Sequence, residues 1–233
     1  MLLRSKRLQG MLGGTFFEWL GVDLVARLEM LGLFLHKDWR KLKMLYTARR
    51  ERWSMVTNNE MFIVLSIASG MAQAPGDFAE VGIYQGSTAK LICNAKGDKT
   101  LHLCDTFEGL PEPGEHEKSI EKKGNYACSL ESIQKYLDGF PNLKYYKGFC
   151  PDSVRGKLDD TRFSFVHLDV DLYKSTLDCL EYFWPRMIPG GIILSHDYSI
   201  LEGVRQAFTE FTAHRVEQVI ELPTTQCMLV KTG

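Results

Sequence analysis

The chain has 233 residues, 45% hydrophobic and 24% charged, which is ample for one α/β domain with a buried sheet and a small appendage. Lys plus Arg total 28 against 29 for Asp plus Glu, so the net charge of -1 offers nucleic acid phosphates no general attraction and excludes them as an expected partner. Six cysteines (Cys93, Cys104, Cys128, Cys150, Cys179, Cys227) form no C-x-x-C pair and sit in or beside apolar runs, which reads as free thiols in a reducing compartment.

The basic residues Arg4, Lys6 and Arg7 are followed by no uninterrupted apolar run or small-residue cleavage site, so the expectation is a cytoplasmic protein without a signal peptide. Residues 15–47 read as helical, with Phe16, Phe17, Leu20, Leu24, Leu28, Leu31 and Leu35 recurring at three or four. Glu18, Asp23, Arg27 and Glu29 interrupt the pattern and argue against a membrane span, which needs about 20 predominantly apolar residues. A basic cluster follows, from Lys37 through Arg40, Lys41, Lys43, Arg49 and Arg50 to Arg52. This segment, residues 1–58, is expected to be a helical cap or oligomerisation surface of a homo-oligomer, with peripheral contact to an anionic membrane as the alternative.

Thr57-Asn58-Asn59-Glu60 has the form of a capping box and opens a helix to about Ala72, and Pro75-Gly76 then breaks the chain. Strands and helices alternate through the remaining domain, residues 59–233. Strands are expected near 77–82, 100–105, 143–148, 163–169, 191–196, 215–221 and 226–231, and helices near 87–96, 129–138, 174–187 and 201–213. That alternation predicts an α/β, doubly wound, mostly parallel seven-stranded sheet. Only Leu222 to Thr225 separates the last two strands, too short for a parallel crossover, so the sheet should finish with an antiparallel strand. The long stretch from Glu108 to Asn125, including Glu115-His116-Glu117-Lys118, reads as a lid or as a solvated charged loop.

Two constellations carry chemistry. Glu80-Val81-Gly82-Ile83-Tyr84-Gln85-Gly86-Ser87-Thr88 closes one strand with an acid and opens a helix through a glycine turn, and Asp105 ends the next strand, where it could meet a ribose. The spacing is G-x-x-x-G, not the G-x-G-x-x-G that lets backbone approach a pyrophosphate, which counts against a nicotinamide-dependent oxidoreductase. Glu80 before the first glycine suits a ligand with a cationic amino-acid end, and S-adenosylmethionine carries an ammonium and a sulfonium. The alternative is that the glycines serve packing alone.

The second constellation is the strand end His167-Leu168-Asp169-Val170-Asp171 together with His196-Asp197 after Pro189-Gly190-Gly191. Acids gathered at the carboxyl ends of parallel strands suit a divalent cation: carboxylate favours Mg²⁺, Ca²⁺ or Mn²⁺, and imidazole moves the preference towards Mn²⁺, Fe²⁺ or Zn²⁺. Alternatively, Asp169 and Asp197 pair with Lys174 or Arg205, and Asp171 caps the helix that follows.

At these residues the chain resembles the macrocin O-methyltransferase family, metal-dependent enzymes that methylate sugar hydroxyls of macrolide and aminocoumarin antibiotics. The matching segments are Gly76 to Gly82, Cys104 to Pro111, Ser129-Leu130-Glu131, Asp169 to Thr176, Pro189-Gly190-Gly191 and His196-Asp197-Tyr198. The resemblance implies a class I methyltransferase-like fold and S-adenosylmethionine-dependent transfer of a methyl group to the hydroxyl of a small molecule, a sugar or glycosylated natural product. By it, Glu80, Gly82, Ile83, Tyr84, Gly86, Ser87 and Thr88 wrap the methionine end, Asp105, Thr106 and Phe107 hold the ribose side, and Gly148 and Phe149 lie near adenine. Asp169 and Asp197 would hold a divalent metal, Mg²⁺ by analogy, with Asp169 or Asp171 helping to deprotonate the acceptor, and His196 joins the candidate ligands by its position beside Asp197. The family commonly has Asp-Asp-Tyr where this chain has His196-Asp197-Tyr198, and Asp-Gly-Asp where it has Asp169-Val170-Asp171. That leaves open the metal's identity and a metal-free, S-adenosylmethionine-binding peripheral protein as a further alternative.

Overall fold

A computed structural model describes residues 15–114 and 122–233. Arg4, Lys6 and Arg7, and the centre of the long connection with Glu115, His116, Glu117 and Lys118, lie outside the described residues.

The amino-terminal segment forms two helices, α1 (Phe16–Phe34) and α2 (Trp39–Glu51), where periodicity alone predicts one. The break has a local cause: Asp38 takes an extended conformation and its side chain accepts the Arg40 amide at 2.7 Å, which restarts the helix with a proper cap. Helix α3 (Asn58–Met71) begins with the expected reciprocal box, Thr57 accepting from the Glu60 amide and Glu60 from the Thr57 amide.

From there the chain alternates through β1 (Asp77–Val81), α4 (Ser87–Ala95), β2 (Leu101–Asp105), α5 (Leu130–Tyr136), β3 (Leu143–Lys147), β4 (Phe163–Leu168) and α6 (Tyr173–Phe183). It continues through a 3₁₀ turn (Trp184–Arg186), β5 (Met187–Ser195), α7 (Glu202–Thr212), β6 (Ile220–Glu221) and β7 (Cys227–Val230). Helix α6 stops earlier than its apolar pattern suggests because Pro185 lacks the amide that an α-turn needs there. Strand β5 starts at Met187 and takes in Pro189-Gly190-Gly191, which reads as a turn in the sequence. Gly190 donates to the Lys231 carbonyl and Lys231 to that of Gly191, so the chain's final segment extends the ladder. Strand β6 keeps only two residues of the expected 215–221, both exposed at the edge of the sheet.

The seven strands run in the order β3-β2-β1-β4-β5-β7-β6. Strands β1 to β5 are mutually parallel, and β7 is antiparallel to both its neighbours, inserted between β5 and β6. The order reverses between β1 and β4, and in a parallel sheet the crevice at that switch point, beyond the carboxyl ends of the strands, is where ligands bind. Both strands are buried almost throughout, so the residues just after them, Gly82 and Asp169, are held on a rigid base.

Apolar clusters fill both faces of the sheet. A third, with Leu33, Leu42, Leu45, Met61, Leu65 and Leu91, joins α1 and α2 to α3 and α4 across the 58/59 boundary expected from the sequence. All six cysteines are free and five are buried, as their apolar settings suggest. Among the described residues, no helix is long and apolar enough to cross a membrane.

Candidate functional site

A cavity of about 1000 Å³ opens at the switch point. Its floor is the turn between β1 and α4. Gly82 has φ +83° and runs so close to β4 that an added Cβ would stand 1.8 Å from the Asp169 carbonyl oxygen, so only glycine fits. Tyr84 follows with φ +47° and Gly86 caps α4 in the left-handed region. The turn is anchored by Asp105 at the end of β2: one carboxylate oxygen accepts from the amides of Ile83 (2.6 Å) and Tyr84 (3.4 Å), the other from Phe107 (2.6 Å). Burial pushes the Asp105 carboxyl above its ordinary range, against the pull of those amides.

Of the residues assigned to a cofactor from the sequence, Gly82, Ile83, Tyr84, Ser87, Thr88, Asp105, Thr106, Gly148 and Phe149 line the cavity. Glu80, Gly86 and Phe107 do not. Glu80 is fully buried within the sheet, opposite His167 in the β1–β4 register, and its Oε1 lies 3.0 Å from His167 Nδ1. Phe107 contributes its amide to Asp105 while its ring packs in the core, and Gly86 faces Tyr136 and Ile133.

Asp169, Asp171, His196 and Asp197 line the same cavity. The β4–β5 register sets Leu168 beside Ser195, so the next residues, Asp169 and His196, emerge side by side. His196 Nδ1 lies 3.0 Å from Asp197 Oδ1 and 3.6 Å from Asp169 Oδ1, and one ligand atom from each of the three falls within 4.8 Å of the others. Asp171 and Asp197 both have left-handed backbone, φ +57° and +60°. Of the six described non-glycine residues with positive φ, four (Tyr84, Tyr126, Asp171, Asp197) line this cavity, which concentrates backbone strain where ligands would sit.

Lys174, a candidate partner for these acids, pairs with Asp178 at 2.7 Å, and the residue directly before α6 is Leu172, which has no side chain able to cap it.

One residue of the cluster is invisible as such in the sequence. Glu60, the capping-box acid of α3, also accepts from Thr225 Oγ1 at 2.6 Å and lies 3.2 Å from His196 Nε2, an ion-pair contact off the line of a hydrogen bond. Burial opposes an imidazolium there, but Asp197, Asp169 and Glu60 outweigh it and hold His196 protonated well above the ordinary histidine range. Burial likewise works against the Glu60 carboxylate, yet His196 and Thr225 pull its pKa far below the usual value. Burial raises the Asp169 carboxyl despite the nearby imidazolium. The opposite wall comes from α1, whose Phe17, Gly21, Val22 and Val25 make one end of the cavity apolar. The long connection contributes its base: Leu110 donates to the Asn125 carbonyl and Gly124 to that of Leu110, and Gly109, Leu110, Pro111, Asn125 and Tyr126 line the cavity.

The strand order with β7 inserted antiparallel, and an acid-anchored glycine turn at the switch point, define a class I methyltransferase fold. The chain belongs to the macrocin O-methyltransferase family (Macrocin-O-methyltransferase, TylF), whose model matches residues 50–228. Among characterised relatives, an 8-demethyl-8-(2,3-dimethoxy-alpha-L-rhamnosyl)-tetracenomycin-C 4'-O-methyltransferase from Streptomyces olivaceus is 30% identical over 142 residues, covering 54% of each chain. A demethyldecarbamoylnovobiocin O-methyltransferase from Streptomyces niveus is 26% identical over 155 residues, 60% of this chain and 59% of the relative. The chain thus spans between half and two thirds of the length of these relatives. Among solved structures, the O-methyltransferase NovP superposes with a TM-score of 0.69 at 21% identity, over 77% of this chain and 82% of that one. An O-methyltransferase from Bacillus cereus in complex with SAH superposes with a TM-score of 0.60 at 11% identity, over 90% and 100%. At these identities the likeness concerns the fold. Family membership leaves the nicotinamide-dependent alternative without support.

Proposed function

We propose that this protein is an S-adenosylmethionine-dependent O-methyltransferase that methylates a hydroxyl of a small molecule, a sugar or glycosylated natural product, with a divalent metal at Asp169, His196 and Asp197. One observation carries the reading: the Asp105-anchored glycine turn and the Asp169–His196–Asp197 cluster open into one cavity, with the Gly82 backbone against that of Asp169. The methionine end would lie along Gly82 to Thr88 and the ribose near Asp105, with Gly148 and Phe149 beside adenine. Glu80, bonded to His167, braces β1 against β4 under the turn without touching the cofactor.

The donor set fits a divalent ion: one imidazole and two carboxylates converge, and acids outnumber the single cation among them. When bound, such an ion supplies Lewis-acid polarisation of the acceptor hydroxyl. Imidazole in the set points to Mn²⁺ or Fe²⁺ at least as much as Mg²⁺. Asp171 or Asp169 would take the hydroxyl proton as the oxygen attacks the sulfonium methyl, and S-adenosylhomocysteine leaves. Water exclusion would fall to α1 and to the described ends of the long connection, residues 108–114 and 122–125, with α1 and α2 as a cap on the catalytic domain.

Isothermal titration with S-adenosylmethionine, then transfer of labelled methyl to glycosylated acceptors with Mg²⁺, Mn²⁺ or EDTA, tests this. Micromolar cofactor binding and EDTA-sensitive transfer are expected; a folded protein that does not bind the cofactor overturns the reading. A second, metal-free reading is favoured by the contacts of His196 with three carboxylates, which let the imidazolium occupy the cation's place. Transfer that survives EDTA and Asp169→Asn would select it.

A further inference from the structure

Helix α1 turns two acids, Asp23 and Glu29, inward. Asp23 is held by Arg27 and Arg49, and Glu29 accepts the Asn59 amide. The outward side is apolar: Phe17, Leu20, Leu24, Leu28, Leu31 and Phe34 are between 47% and 72% exposed. Their spacing of three and four places them along one stripe, continued by exposed Leu35 and Trp39. A contiguous apolar surface of this kind is not left uncovered by chance.

What borders the stripe identifies its partner. Lys37, Arg40, Lys43 and Arg50 are exposed on and beside α2, while the acids there are committed elsewhere: Asp38 caps α2 and Glu51 pairs with Lys90. Apolar residues and a tryptophan flanked by unopposed cations match an anionic lipid surface, which offers an apolar interior beneath negative headgroups. A second copy of the chain would offer the same apolar and cationic face, on which the described acids Asp38 and Glu51 are already engaged by the Arg40 amide and Lys90.

We propose that the outer face of α1, with the basic residues of α2, docks on the surface of an anionic membrane. The helix lies in the interface and does not cross it. Phe17 belongs both to the stripe and to the cavity wall, so docking sets the apolar end of the cavity at the lipid, where an acceptor with an apolar portion would enter. This goes beyond the methyl-transfer reading and stands on different residues.

The test is flotation of the full chain with vesicles of phosphatidylcholine alone or mixed with phosphatidylglycerol. Binding is expected to the mixed vesicles only, and to weaken in high salt. The double variant Leu24→Glu/Leu28→Glu should abolish it, and Arg40→Glu/Lys43→Glu should weaken it about tenfold or more. These side chains are exposed and outside the cavity, and circular dichroism confirms folding of each variant. Failure of the folded wild type to float, or equal flotation of the Leu24→Glu/Leu28→Glu variant, overturns the proposal. So does a dimer in light scattering that this variant converts to monomer, which would assign the face to a second copy.

Discussion

The α-carbon of Gly82 sits so near the Asp169 carbonyl that the turn at the end of β1 and the acid at the end of β4 behave as one unit. The glycine turn and the Asp169–His196–Asp197 cluster are therefore joined through backbone, and displacing either displaces both.

Gly82→Ala is expected to fail on two counts, a Cβ 1.8 Å from the Asp169 oxygen and a φ of +83°. The backbone cost alone is about 1–3 kcal/mol, and the clash adds to it. A lowered denaturant midpoint, together with loss of S-adenosylmethionine binding in titration, is the expected outcome; wild-type stability and affinity would show that the turn moves freely.

Asp105→Asn keeps the shape but leaves one oxygen to accept what two now accept from Ile83, Tyr84 and Phe107. One amide must then face an amide donor. We expect a stability loss of about 1–3 kcal/mol and weaker cofactor binding, read by chemical denaturation and calorimetry.

Glu60 separates cap from charge. Glu60→Gln keeps one oxygen for the Thr57 cap amide and turns an NH₂ to Thr225, whose hydroxyl can accept it, but removes the anion opposite His196, whereas Glu60→Ala removes all three contacts. The alanine variant should lose about 3–5 kcal/mol, the scale for stripping a partner from a buried ion pair, and the glutamine variant distinctly less. Equal losses in thermal melts would assign the stabilisation to the charge facing His196 alone, and a glutamine variant as stable as wild type would assign it to helix capping.

Asp197→Asn should lower Mn²⁺ affinity at least about 10–100-fold in calorimetry while S-adenosylmethionine binding persists. His196→Asp, which makes the donor set all oxygen, should shift preference from Mn²⁺ towards Mg²⁺. Unchanged metal binding in both would place the ion elsewhere.

Acid sensitivity has a separate source in His102, which lies between Asp77 and Tyr146. Burial lowers its pKa below the ordinary value, although Asp77 pulls the other way. With the folded value below the unfolded one of about 6.5, the unfolded chain takes up protons first, so this contribution is intact above pH 6.5 and is lost as pH falls below it. His196 has the opposite sign, its raised value giving stability that is lost as pH rises. The comparison is therefore between wild type and His102→Gln: the difference in melting temperature should narrow from pH 7 towards pH 5, and a constant difference would refute the assignment.

Much of this was legible in the residues. Alternation after Pro75 located the strands, the short Leu222–Thr225 link required an antiparallel finish, and acids at the strand ends marked the cavity's rim. The discrepancies are physical. Periodicity predicted one helix over 15–47 because it cannot register the Asp38 cap. Glu80 looked like a ligand because it precedes the glycine turn, but strand alternation points its side chain into the sheet at His167.

By itself, the sequence determined local conformation and chemical inventory, because caps, turns and periodicities depend on near neighbours. Which carboxylates meet was decided only by tertiary structure: Glu60, His196 and Thr225 are far apart in the chain and converge because the β5–β7 pairing and the seating of α3 bring them together. Burial, and with it the charge state of that group, exists only once the sheet and its helices have excluded water.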